Sequence, residues 1–135
     1  MQRRMLTKED EVAAGDEVEV RREDQDKINR FSRLHQRELL LQEELKSKNK
    51  EKEELDDITM ELELADEDES VPYKVGDAFF HVPLPQAQEM LSTSATKVEG
   101  QIEDIEDRLG SIREEMTQLK VELYARFGKS IQLET

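Results

Sequence analysis

Apolar residues recur along two long stretches of this chain at alternating intervals of three and four. In the later stretch the register is unbroken: Leu91, Ala95, Val98, Ile102, Ile105, Leu109, Ile112, Met116, Leu119 and Leu123. Ten of ten positions are apolar, over more than about four heptads, the pattern of a helix that lays one narrow stripe against a partner helix. The earlier stretch carries the same spacing through Phe31, Leu34, Glu38, Leu41, Leu45, Lys48, Lys52, Leu55, Thr59 and Leu62, with six of the ten apolar. Its stripe is clear at both ends and polar in the middle, at Lys48 and Lys52. These periods predict helices over 23–64 and 86–127. Asp24 is the expected N-cap of the first, with Lys27 three residues on and hence no full capping box. Pro85 suits the first turn of the second. Gly100 and Gly110 lie off its stripe and cost about 1 kcal/mol each. Gly128, after Arg126, is its expected stop.

Between the helices the period changes. Ala65 to Ser70 reads as an acidic linker. Val71-Pro72-Tyr73-Lys74-Val75 and Ala78-Phe79-Phe80-His81-Val82 are short β-prone runs around Gly76-Asp77, which predicts a β-hairpin with a type II′ turn. Pro72 is tolerable at a strand start or edge, and Pro83 and Pro85 close the second strand. Tyr73, Phe79 and Phe80 are half of the chain's aromatic residues. Residues 1–22 are polar and interrupted by Gly15, and read as a disordered tail. Residues 129–135 read as a short tail with Ile131 and Leu133 exposed.

The fold class expected is therefore mostly α: a long antiparallel two-helix coiled coil linked by a β-hairpin, as one domain over 23–128. The seam residues are Leu41, Leu45, Leu55, Leu62, Leu91, Val98, Ile102, Ile105, Leu109, Ile112, Met116, Leu119 and Leu123. Composition agrees with narrow seams rather than a thick core. Of 135 residues, 40% are charged and 4% aromatic, with no Trp. An isolated hairpin is marginal in water, and its strand edges and aromatics argue for assembly with other chains.

Charge and missing residue types narrow the function. A net charge of −14 disfavours phosphate backbones and anionic membrane surfaces, so neither nucleic acid nor membrane is an expected partner. The absence of cysteine excludes disulfides, thiolate zinc sites and cysteine catalysis. No apolar run approaches a membrane span, and Arg3, Arg4 and Lys8 are not followed by a secretory apolar segment. The default is a cytosolic or nuclear protein. His35 and His81 lie in different elements and read as a solvated helix residue and a strand residue facing solvent or a partner. Asp66–Glu69 matches no calcium-loop spacing. Glu53, Glu54, Asp56 and Asp57 splay around a helix and serve solubility. No catalytic, cofactor-binding or metal-binding residue is expected, and no enzyme.

An antiparallel pair places the hairpin at one end and both tails at the other. Phe31, Leu34, Tyr124, Phe127, Ile131 and Leu133 would gather at that free end. Tyr124 and Phe127 either pack against Phe31 and Leu34 or leave apolar surface for an unfolded chain.

Three segments carry a resemblance. They are Glu23-Asp24-Gln25-Asp26-Lys27-Ile28-Asn29-Arg30-Phe31-Ser32-Arg33-Leu34, the stretch from Leu64 to Asp68 with Val71-Pro72-Tyr73-Lys74-Val75-Gly76-Asp77-Ala78-Phe79-Phe80, and Leu119 to Gly128 continuing through Ile131 to Glu134. In this order they resemble the β-type subunits of prefoldin, over about residues 23–134. The Pro-Tyr-x-x-Gly-Asp-x-Phe hairpin and the Leu-Tyr-Ala-x-Phe-Gly ending are the specific parts. The resemblance implies an ATP-independent co-chaperone, one of four β-type chains that join two α-type chains in a heterohexamer. It implies hairpins that assemble a double β-barrel body, with Val71, Tyr73, Val75, Phe79 and Phe80 in it. It implies coiled-coil tips, here Phe31, Leu34, Tyr124 and Phe127, that hold unfolded actin and tubulin for the cytosolic chaperonin containing TCP-1. The competing reading is a structural or regulatory coiled-coil scaffold of another assembly.

Overall fold

A computed structural model describes residues 19–65, 70–75, 78–128 and 131, with side chains left aside over 70–80. Helix α1 (Arg22–Glu63) is followed by strand β1 (Ser70–Val75), strand β2 (Ala78–Pro83) and helix α2 (Leu84–Phe127). The architecture is two long packed helices and one antiparallel hairpin, mostly α as expected. The Gly76-Asp77 turn, the acidic linker at 66–69, most of the N-terminal tail, and Leu133 lie outside the described residues.

Two compact units divide the chain: Met1–Glu43 with Asp107–Thr135, here the terminal unit, and Glu44–Glu106, here the hairpin unit. In the terminal unit α1 and α2 pack antiparallel, since Lys27 meets Glu122, Arg30 meets Glu115 and Glu38 meets Arg113. Two apolar clusters form its interior. Phe31, Leu34, Met116 and Leu119 make one, with Ile112 packed against it. Ile28, Leu123, Phe127 and Ile131 make the other, joined by Val20.

The hairpin unit has a third cluster. Leu62, Leu84, Ala87 and Leu91 are buried together, with Leu55, Ala65 and Val82 against them. The end of α1, the end of β2 and the start of α2 thus share one apolar anchor. The polar middle of the α1 stripe also lies in this unit. Lys48 and Lys52 are half-buried. Lys48 reaches Glu51 at 3.4 Å and Lys52 reaches Glu99 at 3.9 Å, so the long stems lie along the seam while the charged heads find carboxylates.

The helix ends differ from the sequence expectation in instructive ways. Helix α1 begins at Arg22, so Asp24 is its third residue rather than its N-cap. The Asp24 carboxylate reaches back instead and accepts the Arg21 backbone N–H at 3.0 Å, the acidic half of a capping box. Helix α2 begins at Leu84, two residues earlier than the sequence suggested. Pro85 does not prevent this, because the first-turn N–H groups have no intrahelical acceptor. At the far end Gly128 has φ of 60°, the left-handed stop expected after Arg126.

Candidate functional site

The hairpin is defined by its backbone. Ser70 pairs with Pro83, Val71 with Val82, Pro72 with His81, Tyr73 with Phe80, Lys74 with Phe79 and Val75 with Ala78. Tyr73 and Phe80 occupy directly opposed register positions, whereas Phe79 falls at the neighbouring position opposite Lys74. The sheet has two strands, so each has one edge without a β partner among the described residues. Such an edge presents N–H and C=O groups that a further strand can satisfy. Toward the end of β2, His81 is exposed and Val82 half-buried. The side chains of Val71, Tyr73, Val75, Phe79 and Phe80 lie outside the described residues.

At the terminal unit the expected tip residues separate into three situations. Phe31 and Leu34 are buried with Met116 and Leu119, while Phe127 joins Ile28, Leu123 and Ile131. The pairing of Phe127 with Phe31 therefore does not occur in one cluster. Tyr124 is 40% exposed. Ile131, expected to be exposed, is 2% exposed. The correction has a physical cause: the left-handed Gly128 ends α2, and Ile131 then lands on the apolar end that Ile28 and Leu123 would otherwise present to water.

A charged cluster borders the same end. Arg126 holds Asp24 through Nε at 3.0 and 3.1 Å and through Nη2 at 2.9 Å. Its Nη2 also donates to the Glu19 backbone carbonyl at 2.8 Å, and its guanidinium lies 5.2 Å from the Phe127 ring centroid. Asp24 is 1% exposed. Burial by itself would raise its pKa, but the Arg21 N–H and the Arg126 guanidinium outweigh that and hold the carboxyl below its ordinary value. One side chain thus ties the entering segment, the start of α1 and the end of α2 together.

Further along, Glu38 is a polar seam position only 13% exposed in its side chain, and it accepts Arg113 Nε at 2.8 Å. His35 Nδ1 lies 3.3 Å from the same carboxylate, with its side chain 12% exposed. His35 is therefore packed beside an ion pair, not solvated as its sequence context suggested. Its position next to the seam residue Leu34 is the signal that could have found it. Arg30 holds Glu115 bidentately at 2.7 and 2.9 Å, which keeps the Glu115 carboxyl below its usual range.

Sequence reasoning missed Ile28, Leu84 and Ala87 as core residues. All three continue the spacing of three and four backward from Phe31 and Leu91. Asp24 obscured the first, because an acid on an apolar stripe reads as a cap. The expected helix start at 86 hid the others. Among the described residues no three His, Cys, Asp or Glu side chains are grouped to hold a metal ion. Glu53, Glu54, Asp56 and Asp57 are all exposed.

The family profile described as "Prefoldin subunit" matches residues 25–130. Prefoldin subunit 4 of Saccharomyces cerevisiae is 43% identical over 117 residues, spanning 87% of this chain and 91% of that protein. Prefoldin subunit 4 of Bos taurus is 40% identical over 123 residues, spanning 90% and 92%. Among solved structures, the prefoldin β subunit from Thermococcus strain KS-1 superposes with a TM-score of 0.75 at 15% identity. That superposition covers 83% of this chain and 98% of that one. At that identity the likeness speaks for the fold.

Proposed function

Because the chain belongs to the prefoldin family, as a β-type subunit related to eukaryotic prefoldin subunit 4, we propose that it works within a heterohexamer of two α-type and four β-type chains. The family is a non-catalytic chaperone family acting in protein folding, so the chain is a chaperone component and not an enzyme. In the proposed complex it binds unfolded actin and tubulin at the free end of its helices. It passes them to the cytosolic chaperonin containing TCP-1 without using ATP. The place of action is the cytoplasm, with the nucleus as a second compartment.

The observation that carries assembly is the two-stranded sheet. Two strands alone are marginal in water, and each leaves one edge that a neighbour's strand can extend. The cluster of Leu62, Leu84, Ala87 and Leu91, with Val82 packed against it, anchors the β2 side of that hairpin. A hairpin held this way is positioned for strand pairing before any partner arrives, which lowers the ordering cost of association.

The test is reconstitution with the other subunits. Charged replacements at Phe79 and Phe80 are expected to abolish the hexamer on size-exclusion chromatography while circular dichroism still reports two helices. Unchanged assembly would refute the hairpin role. Wild-type complex is expected to suppress aggregation of denatured actin diluted from guanidinium. Assembly without any such suppression would favour the scaffold reading instead.

A further inference from the structure

Ser111 is an exposed residue of α2, directly after the exposed Gly110. With Arg37 of α1, and with Asp107, Arg108 and Ile112 of its own helix, it lines a cavity of about 320 Å³. These residues all belong to the terminal unit. Beside them the ion pair of Glu38 with Arg113, at 2.8 Å, holds the two helices in the register that brings Arg37 to this part of α2. Among the described residues no hydrogen bond or ion pair engages Arg37 or the Ser111 hydroxyl. Thr117, further along α2, differs in this respect: its hydroxyl donates to the Arg113 carbonyl at 2.9 Å. An uncommitted hydroxyl and an uncommitted guanidinium thus share one cavity.

The chain around that hydroxyl is charged on both sides. Arg108 stands three residues before Ser111, and Glu114 and Glu115 stand three and four residues after it. Protein kinases select their acceptors by charges placed in this way. Gly110 also weakens the helix at this point, since only proline is less favourable there, so local opening presents the acceptor. We propose that Ser111 is a phosphorylation site and that its phosphate clamps α2 to α1 through Arg37. In the transfer, Ser111 Oγ bonds to the γ-phosphorus of a nucleoside triphosphate and the bond from that phosphorus to the β-phosphate oxygen breaks. The nucleoside diphosphate leaves, and the hydroxyl proton passes to the base of the kinase. The inference is independent of the chaperone reading.

Arg37 decides the sign of the effect. A phosphoserine carries about two negative charges near neutral pH. Within α2 the added charge is unfavourable, because Asp107, Glu114 and Glu115 all lie at helical-neighbour spacing from Ser111. Arg30 already holds Glu115 bidentately at 2.7 and 2.9 Å. That leaves Asp107 and Glu114 opposed to Arg108 on the same helix. Arg37 comes from the other helix, and its guanidinium offers parallel N–H donors that match a phosphate. With Arg37 present the phosphate joins the helices. Without it, the phosphate repels the carboxylates of its own helix.

The unmodified full chain is incubated with ATP and one of two serine kinases: one that reads arginine three residues before its acceptor, and one that reads acid three residues after it. Mass spectrometry is expected to place a phosphate on Ser111 in at least one sample, and none at this position in Ser111→Ala. Absence of phosphate from Ser111 with both kinases overturns the site. The clamp is read on full chain carrying phosphoserine introduced at position 111 during translation. Amide hydrogen exchange over 27–41 and 108–122 is expected to be roughly fivefold or more slower than in the unmodified chain, as a charge-assisted bond between the helices requires. In Arg37→Ala the same phosphoserine is expected to speed exchange, and Arg37→Lys is expected to recover part of the slowing. Phosphorus NMR is expected to show the phosphate losing its last proton at lower pH when Arg37 is present than in Arg37→Ala. Exchange that is unchanged or faster with Arg37 present, or slowing that survives Arg37→Ala, overturns the clamp.

Discussion

Replacing Asp24 by Ala tests how the end of the terminal unit is held. Asp24 is 1% exposed and accepts the Arg21 N–H and two nitrogens of Arg126. Removing one partner of an enclosed ion pair typically costs about 3–5 kcal/mol, because the other charge is stranded. Here the Arg126 side chain keeps 29% of its exposure, so it rehydrates in part and the loss is smaller. The Arg21 N–H reaches water more easily once uncapped, for about 1 kcal/mol. Together these give roughly 2–3 kcal/mol for Asp24→Ala. Asp24→Asn, which retains shape and one acceptor, is expected to cost about half as much. A double-mutant cycle with Arg126→Ala isolates the pair, and its coupling is expected near 2 kcal/mol. Urea unfolding followed at 222 nm measures each corner, with an unchanged slope required for the comparison. A coupling below about 0.5 kcal/mol would refute the reasoning, since that is the range of an exposed surface pair.

Three further outcomes follow from the same geometry. The Asp24 carboxyl is held below its ordinary value, so its stabilisation is full above the unfolded value of about 4 and is lost as pH falls through the folded one. Acid unfolding of Asp24→Asn should accordingly be less steep below about pH 4 than that of wild type. Gly110→Ala meets open space in an exposed stretch of α2, so its midpoint in urea should rise by an equivalent of about 1 kcal/mol. Lys52→Ile repairs a half-buried seam position at the cost of a 3.9 Å pair with Glu99. A net gain of about 1 kcal/mol is expected, because exposed pairs contribute little while buried aliphatic area contributes more; a loss in thermal unfolding would mean that the ion pair fixes the register.

The helices were legible because their signal is local and repeated. A stripe that returns every three or four residues has one low-energy arrangement, and each repetition restates it. The burial of Leu41, Leu62, Leu91, Val98, Ile105, Leu109, Met116, Leu119 and Leu123 follows from that register. The hairpin was legible for a related reason: two short β-prone runs flank Gly76-Asp77, and Pro83 and Pro85 close the second. The helix ends were less so. Asp24 at the start of α1 fits both an N-cap and the third-residue half of a capping box, and the choice depends on where Arg21 points its N–H.

Sequence by itself determined the two amphipathic helices, the hairpin between them, the excess of acid and the absence of cysteine. It also carried the family through the Val71–Phe80 and Leu119–Gly128 segments. Tertiary structure alone decided which groups at the end of the terminal unit are covered. Arg126 meets Asp24 from 102 positions away, and Ile131 reaches Ile28 across a similar separation. Neither contact has a period or a neighbouring residue to announce it. Burial of a single side chain near a terminus depends on what the distant chain has already placed there, and only the folded arrangement supplies that.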